Sequence, residues 1–440
     1  MYSMFRILSI TALVICMFTT ACKKNNPNNL AKETISLTVQ EGENGYLLQW
    51  DKVNTSDFIN YEIYRSDYPL PEPTPDEPLN INFRIATISD RDKNSFTDSL
   101  LFGISSNVYY KVIAKLAMRT LSSGSVKNST NNIVINGSFD NAYYNPELDY
   151  IYFLSNNIVK IYDNTNNTIK LNSKTIDGGL STNFFYDDKL KFNTQANGDK
   201  EVYVMNNYYS VSSYDATTMT KKETFNFNLS SPNFTSFDVY QNHLYLLNDN
   251  TDSLWVYNAS THQLESQFYL SNLSQYNSIT ISKDKSTMIL APGYNGSLYY
   301  SYNFNLSASG LPTLAHAENM QVNSASSGKI AVSNNGQLMT NDIFGAIFSS
   351  SFVNIGNLQS DFFNEQFTNF KFSSDNQYIF AQSFSSTSRI KAFSLTDFSL
   401  IHSYFSTNSY YFLKGKNLIM VSNGSLGNQI IISNKQTNLP

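Results

Sequence analysis

The chain has 440 residues and a formal net charge of −5, and its charged residues reach only 15% where soluble domains usually hold ~25%. No basic cluster interrupts that balance, which excludes a nucleic-acid surface. Abundant Asn, Ser and Thr beside 14% aromatics leave a surface of neutral hydrogen-bonding groups, suited to a secreted β-protein and to neutral polar ligands.

Met1–Ala21 carries one positive charge, Arg6, and then an apolar run from Ile7 to Phe18 broken only by Ser9 and Thr11. A bilayer span needs about 20 apolar residues, so this run reads as a signal peptide. Its end, Thr19-Thr20-Ala21-Cys22, resembles the lipobox of bacterial lipoproteins, with Thr19 in the usual place of Leu. The resemblance implies cleavage before Cys22, acylation of that residue, and a lipid-anchored place in the cell envelope, with the outer membrane expected and its face left open. Cys16 leaves with the signal, so the mature chain forms no disulfide and packing alone holds it. Residues 22–32, with Lys23–Lys32 reading K-K-N-N-P-N-N-L-A-K, have no periodicity and form a flexible tether.

Over 33–128 the pattern is β. Ile35–Gln40 alternates, Asn44-Gly45 turns, and Tyr46–Trp50 returns. Tyr61–Arg65 follows, and then Pro69, Pro71, Pro73, Pro75 and Pro78 predict an extended polyproline loop. Phe83–Ile88, Ser95–Asp98, Val108–Ala114 and Leu121–Ser125 bring the set to about seven short strands, a sandwich signature. Trp50 in L-L-Q-W, Tyr61 and Tyr64 in Y-E-I-Y-R-S, and V-Y-Y-K-V-I-A at 108–114 resemble a fibronectin type III domain. That resemblance implies a spacer or interaction module, with Val108, Tyr110, Val112 and Ala114 facing Trp50.

The remaining stretch, 129–440, repeats one unit. Ser253–Leu270 reads as an apolar strand ending on an aromatic, a polar turn opening with Asn, and a second strand. Ile158–Leu171, Val211–Phe225 and Ile390–Tyr404 carry the same unit, aligned on Tyr162, Tyr214, Tyr257 and Phe393. Two further copies fall at Tyr302 and Phe348, for a period of roughly 45 residues, which predicts four-stranded propeller blades. The segment holds about seven periods of that length, with six or eight blades as the alternatives. The turn S-S-D-N-Q near Asp375 resembles YVTN- and WD40-type propellers, although neither motif is complete. The last blade lacks one strand, and Ile133–Ile135 is expected to supply it beside Ile430–Ile432, since an open ring would leave edges exposed. The fold class is therefore all-β, a sandwich followed by a seven-bladed propeller closed by an N-terminal strand.

Chemistry is sparse. His243, His262, His316 and His402 lack partners at metal-ligand spacing, and no G-x-S-x-G, Walker A or G-x-G-x-x-G run occurs. Asp163 and Asp215 alternate with Asn258, Asn303, Ser349 and Ser394 at one repeat position, which fits turn capping. No cofactor is expected. Function is expected on the rim of b–c and d–a loops, including Asn248–Thr251, 385–388, and Leu306–Met320 as the longest d–a loop. Tyr208 and Tyr294, flanked by Asn207 and Asn295, offer flat rings beside amides, the combination that sugar rings favour. The layout resembles surface lipoproteins of bacterial glycan-uptake systems, which implies a non-catalytic polysaccharide binder. The alternatives are a scaffold for an envelope protein and a propeller lyase or lactonase.

Overall fold

The computed structural model describes residues 34–42, 45–66, 68–74, 78–98, 107–129, 132–177, 189–207, 210–227, 234–271, 277–292, 300–319, 330–340, 342–359, 365–383, 389–405, 410–415, 417–424, 428–437 and 439. The chain is all-β and divides into two compact units, most of the residues up to Asn128 forming one and Ser129–Pro440 the body of the other.

In the first unit a three-stranded sheet holds Leu37–Gly42, Gly45–Trp50 and Ser95–Asp98. A six-stranded sheet is centred on Phe58–Ser66 and Asn107–Leu116. Alternation sends Tyr46, Leu48 and Trp50 from one sheet, and Tyr61, Ile63, Tyr110 and Val112 from the other, into a shared interior. Trp50 meets Tyr61 edge-on at 5.3 Å and Tyr46 meets Tyr110 at 6.1 Å. The larger sheet is also covered on its other face. Leu70 and Leu79 pack there on Tyr64 and Ile113, and the buried Lys111 ammonium donates to the Pro71 carbonyl at 2.8 Å. The described part of the proline-rich segment is thus a cover rather than only an extended loop. Leucines among the prolines supply the apolar area that proline spacing hides.

The second unit holds seven four-stranded antiparallel sheets among the described residues. Sheet one runs Asn141–Asn145, Tyr150–Ser155, Ile158–Asp163 and Thr168–Thr175. Sheets two to six begin with Leu190–Thr194, Phe234–Tyr240, Asn277–Ile281, Ala331–Val332 and Phe367–Phe372, and each is built from four consecutive strands. Sheet seven joins Tyr410–Lys414, Asn417–Asn423 and Gln429–Gln436 to Ile133–Asn136. There Ile133 pairs with Ile432 and Ile135 with Ile430, in antiparallel register.

Each sheet is apolar on both faces because it packs between two others. In sheet one, Tyr152 and Leu154 join a cluster with Val202 and Val204 of sheet two. The alternating neighbours Ile151 and Phe153 join Ile419 and Ile430 of sheet seven. The same splitting recurs at every step, Leu244 and Leu246 packing toward sheet two and Tyr245 and Leu247 toward sheet four. The first strands of sheets two to six touch in succession, and those of sheets one and seven touch each other. The sheets resemble propeller blades.

The repeated aromatic has a structural reason. In sheets one to six the third and fourth strands lose register by a bulge beside Tyr162, Tyr214, Tyr257, Phe304, Phe348 and Phe393. In sheet four the equivalent residue is therefore Phe304, not Tyr302. Tyr302 and Phe304 share one face of Y-S-Y-N-F-N, so a two-residue slip leaves the pattern unchanged. Asn303 consequently lies inside a strand, where its amide donates to the Ser350 carbonyl at 2.9 Å. Asp163, Asp215 and Asn258 do cap their turns, each accepting a backbone N–H two or three residues on. The stretch expected as the longest d–a loop is mostly the fourth strand of sheet four, Pro312–Asn319. Pro312 opens that edge strand, where its missing N–H breaks no ladder bond.

Candidate functional site

Cys22, Tyr208, Tyr294 and Asn295 lie outside the described residues, as does 385–388. Asn207 is described through its backbone, which ends the strand Lys200–Asn207 opposite Ser210. Its neighbour Asn206 is buried and donates to Ser212 Oγ at 2.6 Å. At Asn248–Thr251 the Asn248 side chain accepts from the Asn250 N–H at 3.1 Å, closing a single 3₁₀ turn. Asn206 and Asn248 thus spend at least part of their polar capacity on the local backbone and side chains.

What the repeat brings together is a cavity of about 1050 Å³ along the first strands. That is just above the usual range of small-molecule sites, roughly 300–1,000 Å³. Among the described residues, six sheets line it and sheet three does not. Its wall mixes rings (Tyr143, Phe192, Phe370, Phe412) with amides (Asn145, Asn193, Asn334, Asn369, Gln382). Inner strands supply both because each is the edge of its sheet nearest the cavity, so consecutive residues such as Ala142–Asn145 and Leu190–Thr194 reach the wall.

Its charge is uneven, with Lys191, Lys283, Lys285 and Lys371 against one carboxylate, Glu147. Lys191 is buried and stands 3.4 Å from Asp238 of sheet three. Glu147 accepts from Lys200 and from Thr194 Oγ1. Partial burial works to raise its carboxyl, but those two bonds and the charges of Lys200 and Lys285 outweigh it and hold the group below the usual carboxylate range. Lys285 also lies over the Tyr240 ring, 5.7 Å from its centre. Lys283 is exposed and makes no ion pair among the described residues.

Sheet six shapes its part of the wall differently. The pairing of Phe367–Phe372 with Tyr378–Ser383 shifts between Thr368 and Lys371, and Asn369 takes a left-handed φ of 51°. Asn tolerates that conformation better than most residues. The Asn369 carbonyl accepts from Tyr411 of sheet seven. The side chains of Thr368, Asn369 and Gln382 hold no hydrogen bond among the described residues.

The histidines have partners that sequence spacing does not reveal. His243 meets Glu265 at 2.6 Å, His262 meets Glu223 at 2.6 Å and His316 meets Glu318 at 3.0 Å. Each is a single pair, and among the described residues no group of three or more His, Cys, Asp or Glu could hold a metal ion. The cavity wall escaped sequence reasoning because it gathers single residues from six repeats. The lysines of S-K-D-K-S at 282–286 were its only local signal.

No protein-family model matches the chain, and no curated protein is similar to it. Among solved structures it is similar to a chain of the "Crystal Structure of Mitotic Checkpoint Complex", at 10% identity and a TM-score of 0.48, over 68% of this chain and 92% of that one. It is also similar to the β-propeller domain of Myceliophteria thermophila Cps50 (Swd1), at 10% identity and a TM-score of 0.47, over 69% of this chain and 99% of that one. Likenesses at this level carry no statement about a ligand.

Proposed function

We propose that this chain is a non-catalytic binding protein of a bacterial cell envelope, anchored through lipid on Cys22. Its second unit closes as a seven-bladed propeller, and its first is a fibronectin III-like spacer. The observation that carries the binding reading is the cavity among the inner strands, walled by amides and rings rather than filled by a core. Two sheets enclosing Trp50 and Tyr110 support the spacer, and the pairing of Ile133–Asn136 with Gln429–Gln436 supports the closed ring. The ligand we assign is a glycan, held at the rim by Tyr208 and Tyr294 with Asn207 and Asn295. Aromatic faces stack on sugar rings while amides meet the hydroxyls.

A glycan array with the full chain tests this, paired with the double variant Tyr208→Ala/Tyr294→Ala. Selective retention of a glycan class that the variant loses is the expected result. Retention of an envelope protein in place of any glycan would replace the ligand class. For the anchor, Cys22→Ala should abolish fatty-acid labelling and detergent partitioning, and unchanged labelling would end the lipoprotein reading.

A further inference from the structure

Lys283, Lys285 and the sheet-six amides line one space, and Glu147 is the single carboxylate among its described lining residues. Glu147 is bonded to Lys200 and Thr194, and Asp238 answers Lys191. Asp284, between Lys283 and Lys285, accepts from Ser282 Oγ at 2.6 Å and from the Ser286 N–H at 3.0 Å. Asp375, in the matching turn of sheet six, accepts from Ser373 Oγ at 2.6 Å. Asp149 is held by Lys414 at 2.6 Å. Bonds from neutral donors leave Asp284 and Asp375 charged, but neither lines the cavity, where four lysines stand against Glu147 alone among the described residues.

Sheet six adds the second half. A bulge next to a site re-aims side chains, and a non-glycine residue at positive φ is sustained only by its surroundings. Here the bulge sets Thr368 and Asn369 in the wall, with Gln382 opposite Thr368 on the next strand. These three side chains offer donors and acceptors for hydroxyl groups. Lys283 and Lys285 offer positive charge and N–H donors but no acceptor.

We propose that the cavity binds a small acidic sugar, with its carboxylate toward Lys283 and Lys285 and its hydroxyls on Thr368, Asn369 and Gln382. This rests on the carbohydrate-binding reading of the second unit, but it uses a site other than the rim.

The test is titration calorimetry of the full chain with D-galacturonate, D-galactose and inorganic phosphate. Galacturonate should bind at least about tenfold more tightly than galactose, because a bond to a charged group is worth about 1.5–3 kcal/mol. Lys285→Gln should remove that preference while leaving galactose binding in place. Asn369→Gly keeps the positive φ and removes only the side chain, so it should weaken both sugars by several-fold with an unchanged melt. Equal binding of galacturonate and galactose would overturn the proposal. So would phosphate binding as tightly as galacturonate, since the amides would then contribute nothing. Loss of galacturonate binding in Tyr208→Ala/Tyr294→Ala, with Asn369→Gly unaffected, would overturn it while leaving the rim reading standing.

Discussion

The Lys414 ammonium lies 2.6 Å from Asp149 Oδ2, joining the first strand of sheet seven to the first hairpin turn of sheet one. Asp149 also accepts from Tyr144 at 2.7 Å, Thr165 at 2.7 Å and Asn164 at 3.1 Å. Burial works to raise the Asp149 carboxyl, and these bonds outweigh it and hold the group below the ordinary range. Asp149→Asn should cost about 1.5–3 kcal/mol, the scale of hydrogen bonds to a charged group. A depressed folded value gives stability that is complete above the unfolded value of about 3.9 and is lost as pH falls through the folded one. The variant should therefore lose less stability on acidification than the parent, which denaturant melts at several pH values would show.

Removing Ile133–Asn136 should open sheet seven. A chain beginning at Phe139 exposes the edge of Gln429–Gln436, whose Ile430–Ile432 run carries no charge. We expect loss of cooperative unfolding and concentration-dependent association, read by calorimetry and sedimentation. A chain beginning at Ser129 keeps the strand and should stay monomeric. Equal behaviour of the two would show that the strand does not seal the sheet.

Glu365 and Lys391 form a 2.6 Å pair with side chains 1% and 0% exposed, and Ser383 donates to the same carboxylate. Lys391→Met should cost about 3–5 kcal/mol, because a buried charge loses its partner. Adding Glu365→Gln to that variant should restore part of the loss, since the stranded charge is gone. A double-mutant cycle by chemical denaturation measures the coupling.

Trp50, 3% exposed, should be the most costly truncation in the first unit. Trp50→Ala removes its contact with Tyr61 and should cost about 3–5 kcal/mol. Its indole N–H has no partner among the described residues, so Trp50→Phe should be milder. The denaturation midpoint of the first unit reads both.

Elements with a strong local period were legible in the sequence. The third strand of most sheets could be placed from one aromatic and one turn, because a bulge and a cap recur there. Sheet four escaped by two residues because alternating aromatics satisfy either register. The cover over Lys111 was hidden by its prolines, whose backbone signal drowned two buried leucines. The cavity was not legible for a different reason. Asn369 and Lys285 belong to separate repeats, and only the packing of successive sheets brings them to one space. The expected rim residues Tyr208 and Tyr294 fall outside the described residues, so the candidate site rests on the inner strands.

Sheet seven also sets a timetable for synthesis. Asn132, beside its outermost strand, bonds Ser433 across 301 positions of chain. At the roughly 5–20 residues per second of translation, Ile133–Asn136 leaves the ribosome about 15–60 seconds before its partner exists. Sheets one to six can assemble in order during that interval, each from consecutive strands. The first of these strands to be made is among the last to be paired, so for most of translation it is an isoleucine-rich segment open to wrong partners. A chaperone or a slow passage through a membrane pore would matter most for those four residues.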